Sequence, residues 1–142
     1  MQAFYTEAIL ISNQNVEIVR QSLEAFNSKG LDGLASFWHP EIDWRAIEGA
    51  PDDVGVFTGE EAMRRYLGEW VEMFEDARNE PEEFIEAGDQ VVAVQHASGV
   101  GKRNGVPVDM RYAVVYTVRY GKITRGREYA TRTEALEAVG LI

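Results

Sequence analysis

Arg111 and Glu128 are the two residues whose types and spacing best support proton chemistry. Tyr120-Gly121 reads as a two-residue hairpin turn, which pairs Arg119 with Lys122. Counting back from that turn sets Ala113 opposite Glu128, Val115 opposite Gly126 and Arg111 opposite Ala130. Side chains alternate along a strand, so Arg111, Ala113, Val115, Gly126, Glu128 and Ala130 share one face, with Asp109 two residues before Arg111. Met110, Tyr112, Val114, Tyr116 and Tyr129 take the other. On this register Arg111 and Glu128 are diagonal neighbours, roughly 7–8 Å apart at the backbone. Small residues around convergent charges suit a hollow that binds a molecule. The same diagonal also describes a surface ion pair of little energetic weight. In a hollow, Glu128 is the general acid/base: apolar surroundings raise its pKa, and Arg111 beside it pulls the other way.

Around this pair, Trp44, Tyr66 and Trp70 are candidate walls for a ligand, or plain core aromatics. His96 and Asp109 complete the candidate ligand contacts. A two-residue turn at Asn104-Gly105 sets His96 opposite Ala113 on the Glu128 face, whereas a single bulge residue turns it away. His39 precedes Pro40 and serves the end of a helix. The chain has no cysteine and two histidines, far apart at 39 and 96, so thiolate chemistry and a His-rich metal site are excluded. No metal or cofactor is expected.

The elements that position these residues follow from periodicity. Asn13 or Asn15 caps a helix from about Val16, whose apolar stripe is Val16, Val19, Leu23 and Phe26, ended by Gly30. A short helix with Leu31, Leu34, Ala35 and Phe37 follows. A strand spans 42–47, then a loop from Glu48 to Thr58 that could lie over a pocket mouth. Met63, Tyr66, Leu67, Trp70, Val71 and Phe74 mark a helix over 60–76. Four strands come next, over about 82–87, 91–102, 108–118 and 123–130, and Thr131 or Thr133 caps a last short helix. Helices first and a strand meander after them argue for an α+β fold with an antiparallel sheet.

The 142 residues fit one domain, with residues 1–12 as an N-terminal extension and 13–142 as the domain proper. A net charge of −10 repels phosphate backbones and argues against nucleic acid as a partner. No apolar run of about 18 residues exists to span a membrane, and the start of the chain lacks a basic segment before its apolar stretch. With no cysteine, the expected setting is the cytoplasm.

Several segments together resemble the SnoaL-like branch of the ketosteroid-isomerase superfamily: 15–19 opening the first helix, Phe37-Trp38-His39-Pro40-Glu41-Ile42-Asp43-Trp44, Gly59 before a helix, Gly121-Lys122-Ile123, Arg127-Glu128-Tyr129, Glu134-Ala135-Leu136 and Gly140-Leu141. The resemblance implies a cone-shaped, curved antiparallel sheet wrapped around N-terminal helices, a pocket in its mouth, and a homodimer through the sheet's outer face. Ketosteroid isomerase needs a base and two oxyanion donors. Their positions fall on Trp44, Leu23 and Arg111, so that set is absent. The chain is also similar to limonene-epoxide hydrolases around Gly121–Thr124 and Arg127–Tyr129, which puts their last-strand acid on Glu128; their arginine and aspartate fall on Gln95 and Ala97. The resemblance therefore implies a cofactor-independent cyclase, isomerase or epoxide-hydrolase-like enzyme acting on an apolar, ring-bearing metabolite. The alternative is a non-catalytic ligand-binding or dimeric assembly module of the same fold.

Overall fold

The computed structural model describes residues 2–142, with side chains from residue 14 onward. Helix α1 (Gln2–Lys29) leads into α2 (Leu31–Ala35), strands β1 (Trp38–Arg45) and β2 (Phe57–Thr58), and helix α3 (Glu60–Glu72). Strands β3 (Phe74–Ala87), β4 (Gln90–Gly101), β5 (Pro107–Arg119) and β6 (Lys122–Tyr129) follow, and α4 (Arg132–Ala138) closes the chain. The α+β class expected from the element order is the one observed.

Helix α1 does not begin at a cap near Val16. It starts at Gln2, and Asn15 lies within it. No glycine or proline interrupts 2–29, and an interior asparagine costs a helix only a fraction of a kcal/mol. The cap expected at Asn13 falls outside the described side chains. Val19, Leu23 and Phe26 are buried at helical spacing, which lays this face into the hollow of the sheet.

The sheet runs β2-β1-β6-β5-β4-β3 and does not close. It is mixed, not purely antiparallel, because β1 pairs in parallel with β6. That pairing joins segments some eighty residues apart, whereas local turn signals report only the neighbouring hairpins. Register shifts interrupt the β3–β4 and β5–β6 ladders, and such bulges bend and twist a sheet. The edge strand β3 is rich in charge and carries Pro81, both of which discourage pairing with another chain. Asn27 of α1 ties into the same strand: its Nδ2 donates to the Asn79 carbonyl at 2.9 Å and its Oδ1 accepts from the Asn79 N–H at 2.8 Å.

The core divides across the sheet. On the concave side Val19, Leu23, Trp38, Ile42, Trp44, Met63, Val114, Tyr116 and Ile123 pack together under α1 and α3. On the convex side α4 covers Val92, Ala113 and Val115 with Ala135 and Leu136. Thr131 caps α4 as expected, accepting from the Glu134 N–H. Helix α3 ends earlier than its apolar stripe predicts, since Phe74 already belongs to β3, opposite Gly101. The Trp70–Phe74 ring contact, 5.1 Å between centroids, keeps that spacing productive across the helix–strand corner. His39 lies in β1, where its Nδ1 accepts from the Glu41 N–H at 3.0 Å. Among the described residues no helix is long and apolar enough to cross a membrane.

Candidate active site

The turn at Tyr120-Gly121 is where expected, with φ values of 54° and 73° and Arg119 opposite Lys122. Positive φ at both central residues is the tight hairpin geometry that suits twisted strands. The register then slips: Val118 pairs with Ile123, but Thr117 pairs with Arg125, leaving Thr124 as an extra residue in β6. Thr124 Oγ1 donates to the Thr117 carbonyl at 3.2 Å. With side chains alternating every residue, one extra residue reverses the facing of everything after it. Glu128 consequently opposes Val114, not Ala113, and shares the concave face with Tyr112 and Tyr116.

This corrects the expected pairing of Glu128 with Arg111. Arg111 stands on the convex side, where its Nε donates to Glu82 Oε1 at 3.0 Å with both side chains well exposed. Asp109 and His96 are on that side too, 3.7 Å apart, and His96 opposes Arg111 in the β4–β5 ladder. None of the three lines the concave cavity. Arg111→Ala is accordingly expected to leave ligand binding at the cavity unchanged and to cost at most about 1 kcal/mol, the range of an exposed ion pair, as read by thermal denaturation.

Trp44, Tyr66, Trp70 and Glu128 do converge, around a cavity of about 100 Å³. Trp38, Leu23, Met63 and Leu67 supply further apolar wall, and among the described residues no lysine, arginine or histidine lines the space. Glu128 is the carboxylate at its inner wall. Trp44 Nε1 donates to Glu128 Oε2 at 2.7 Å, and the Tyr66 hydroxyl donates to the same oxygen at 2.8 Å. Burial raises the Glu128 pKa above the ordinary glutamate value, the two donors pull it back, and Asp52 adds a further upward push. Burial also raises Tyr66, Tyr112 and Tyr116, reinforced by the Glu128 charge, so all three are neutral phenols.

Glycine explains how Trp44 reaches its partner. In the parallel ladder Trp44 lies opposite Gly126, and a Cβ built on Gly126 would fall onto the six-membered ring of the indole. The bare backbone lets the ring lie flat across β6 and extend two residues along it, to Glu128. The same ring meets Tyr116 edge-on at 5.8 Å.

The sequence reading missed a polar chain opposite Glu128. The Tyr116 hydroxyl donates to Gln95 Oε1 at 2.6 Å, and Gln95 Nε2 donates to the Tyr112 hydroxyl at 3.1 Å and to Asn79 Oδ1 at 3.2 Å. Asn79 Nδ2 donates to Tyr112 as well, at 2.7 Å. Tyr112 oxygen thus accepts twice, and among the described residues its own proton has no acceptor. One signal was available: Gln95 and Ala97, the positions aligned with a polar pair of the epoxide hydrolases, both face the cavity.

The segment between β1 and β2 borders the cavity through Asp52. Asp53 accepts from Arg45 Nε at 3.1 Å and Nη2 at 2.9 Å, and from the N–H groups of Gly49 at 2.9 Å and Gly55 at 3.0 Å. The Arg45 bond, then the two amides, hold its carboxyl well below the usual range. The adjoining Asp52 reaches the cavity rim, its Oδ2 3.3 Å from the Tyr66 hydroxyl.

A curved, unclosed mixed sheet whose concave face is filled by helices around a cavity defines an α+β fold of the NTF2-like type. The family profile described as SnoaL-like domain matches residues 19–126, about three quarters of the chain. The chain belongs to the SnoaL-like domain family. Among solved structures it is similar to TerC co-crystallised with polyporic acid, at 25% identity and a TM-score of 0.71 over 89% of this chain and 98% of that one. It is also similar to an NTF2-like protein of Burkholderia xenovorans LB400, at 28% identity and a TM-score of 0.67 over 91% and 98% of the two chains. A third, from Mesorhizobium loti and provisionally assigned as a SnoaL-like polyketide cyclase, gives 28% identity and a TM-score of 0.63 over 80% and 97%. No curated protein matches the chain.

Proposed function

We propose that this protein binds a small, apolar, ring-bearing molecule in the concave cavity and moves a proton on it with Glu128, without a cofactor. The observation that carries the reading is the state of the carboxyl: half-buried beside apolar walls, both side-chain donors on Oε2, and, among the described residues, no lysine, arginine or histidine lining the cavity. Burial makes such a group a better proton acceptor at neutral pH than a surface glutamate, and Oε1 is left to meet the ligand. Tyr112, with both acceptor positions engaged by amides, offers its proton to an oxygen of the ligand. The substrate class is then an enolisable ring ketone or a related carbonyl compound, for which cyclisation and isomerisation start with the same proton abstraction. TerC's co-crystallisation with polyporic acid and the polyketide-cyclase assignment of the Mesorhizobium protein support a small-molecule occupant.

The test is deuterium uptake from D₂O by a panel of ring-fused cyclic ketones, followed by NMR. Wild-type protein is expected to exchange at least one of them well above the buffer rate, and Glu128→Gln to fall back toward that rate. Equal exchange by the variant removes Glu128 as the base. Binding of the panel, read by tryptophan fluorescence, with no exchange by wild type favours the non-catalytic binding module instead. The convex face of the sheet is the proposed homodimer surface, checked by sedimentation equilibrium.

A further inference from the structure

We infer that Asp52 and Tyr66 form a proton relay joining Glu128 to solvent at the cavity mouth. The proposal deepens the acid–base reading of Glu128 and takes its purpose from it. Its basis is one hydroxyl set between two carboxylates: Tyr66 oxygen is 2.8 Å from Glu128 Oε2 and 3.3 Å from Asp52 Oδ2. A phenol has one proton and can serve one carboxylate at a time. With Glu128 ionised, the proton points inward, to Oε2. With Glu128 protonated, the roles turn over: Glu128 donates to the Tyr66 oxygen, and the Tyr66 proton points outward to Asp52.

The transfer balances. The Glu128 O–H bond breaks as a new O–H bond forms on Tyr66, while the original Tyr66 O–H bond breaks and its proton joins Asp52 Oδ2. Tyr66 is a neutral phenol before and after, as its burial requires. Glu128 returns to the carboxylate, and Asp52, exposed at the rim, releases the proton to water. Run backwards, the relay delivers a proton to Glu128.

On the cavity side, Tyr66 is the hydroxyl that touches both Glu128 and an exposed carboxylate; Glu128 also borders a surface cleft lined by Arg45 and Arg127. Trp44 also bonds Oε2, but an indole N–H only donates and cannot pass a proton on. Tyr112 and Tyr116, on β5, are the other titratable groups facing Glu128; they are bound to the buried Gln95 and the half-buried Asn79, and among the described residues these bonds lead to no exposed carboxylate. The rest of the lining is apolar apart from those two amides and Asp52. The relay end is also fixed in place, because the neighbouring Asp53 is held by four hydrogen bonds from Arg45, Gly49 and Gly55.

The experiment needs no ligand. Protein labelled with ¹³C at the glutamate carboxyl carbon is titrated with pH, and the Glu128 signal is assigned by its absence in Glu128→Gln. Wild type is expected to give one averaged Glu128 signal through its midpoint, the mark of rapid proton exchange. Asp52→Asn, on an exposed loop, and Tyr66→Phe, which keeps the ring, are each expected to slow that exchange by about tenfold or more, broadening or splitting the signal. The double variant is expected to match Tyr66→Phe alone, since both act on one path. Unchanged line shapes in the single variants, a split signal in wild type, or independent slowing in the double variant each overturn the relay. Because the readout is Glu128's own proton, failure of the relay is separate from failure of the ketone-exchange assay.

Discussion

Gly126→Ala is expected to unfold the chain more easily than its one added methyl suggests, and to disorder the candidate site at the same time. The new Cβ would fall on the Trp44 ring, which packs in one cluster with the fully buried Ile42, Met63 and Ile123, so the indole can yield only by moving into the cavity that it walls. Forcing extra atoms into a well-packed core costs about 1–3 kcal/mol. A displaced indole also gives up its bond to Glu128, a charge-assisted contact worth about 1.5–3 kcal/mol. The sum is about 3 kcal/mol or more, measurable by urea denaturation. Tryptophan emission is expected to shift as the Trp44 indole loses its buried acceptor, and Gly126→Ala is expected to lose ketone exchange along with Glu128→Gln. A variant with wild-type stability and emission would mean that the ring has room to move.

Glu128→Gln is expected to separate stability from activity. Proton transfer by a positioned side chain contributes about 10²–10⁴-fold, and the variant loses that. Its fold is expected to hold, because a carboxamide oxygen still accepts from Trp44 and Tyr66. The pH dependence fixes the sign. A carboxyl whose native pKa lies above its unfolded value binds its proton more tightly in the folded state. Stability therefore falls as pH rises from the unfolded value to the raised native midpoint, and the cost is complete above it. Glutamine has no such titration. The melting temperature of Glu128→Gln minus that of wild type is expected to grow through that window and to be positive at pH 8. A constant or negative difference would mean that Glu128 ionises without penalty and is not the tuned group described here.

Much of the fold was legible because it is local. The Tyr120-Gly121 turn, the helical stripe of Val19, Leu23 and Phe26, and the Thr131 cap each declare themselves within a few residues. The parallel joining of β1 to β6 did not, since nothing in either strand names a partner so far away. The site was half legible for a sharper reason. Glu128, Trp44, Tyr66 and Trp70 do line one cavity, but Arg111 and Asp109 are expected beside Glu128 only through a register that one bulged residue, Thr124, overturns, and His96, whose face the sequence leaves open, stays with them on the convex side. Threonine is a good strand residue, and its type gives no warning of the slip. A weighing of the two faces could have done so: Tyr112, Val114 and Tyr116 make the bulkier apolar row, and the buried side of such a sheet is expected to hold it. Tyr112, Gln95 and Asn79 were missed because their value lies in mutual bonding across three strands, which no single segment displays.

The knot of bonds around Asp53 bears on what a visiting molecule encounters. A threshold already set needs no ordering when a guest arrives, so little of the guest's binding free energy goes into arranging the doorway. On the proposed reading, admission is expected to be governed by girth and shape at that edge of the cavity, and close analogues that differ by a bulky ring substituent are expected to differ in binding more than in turnover.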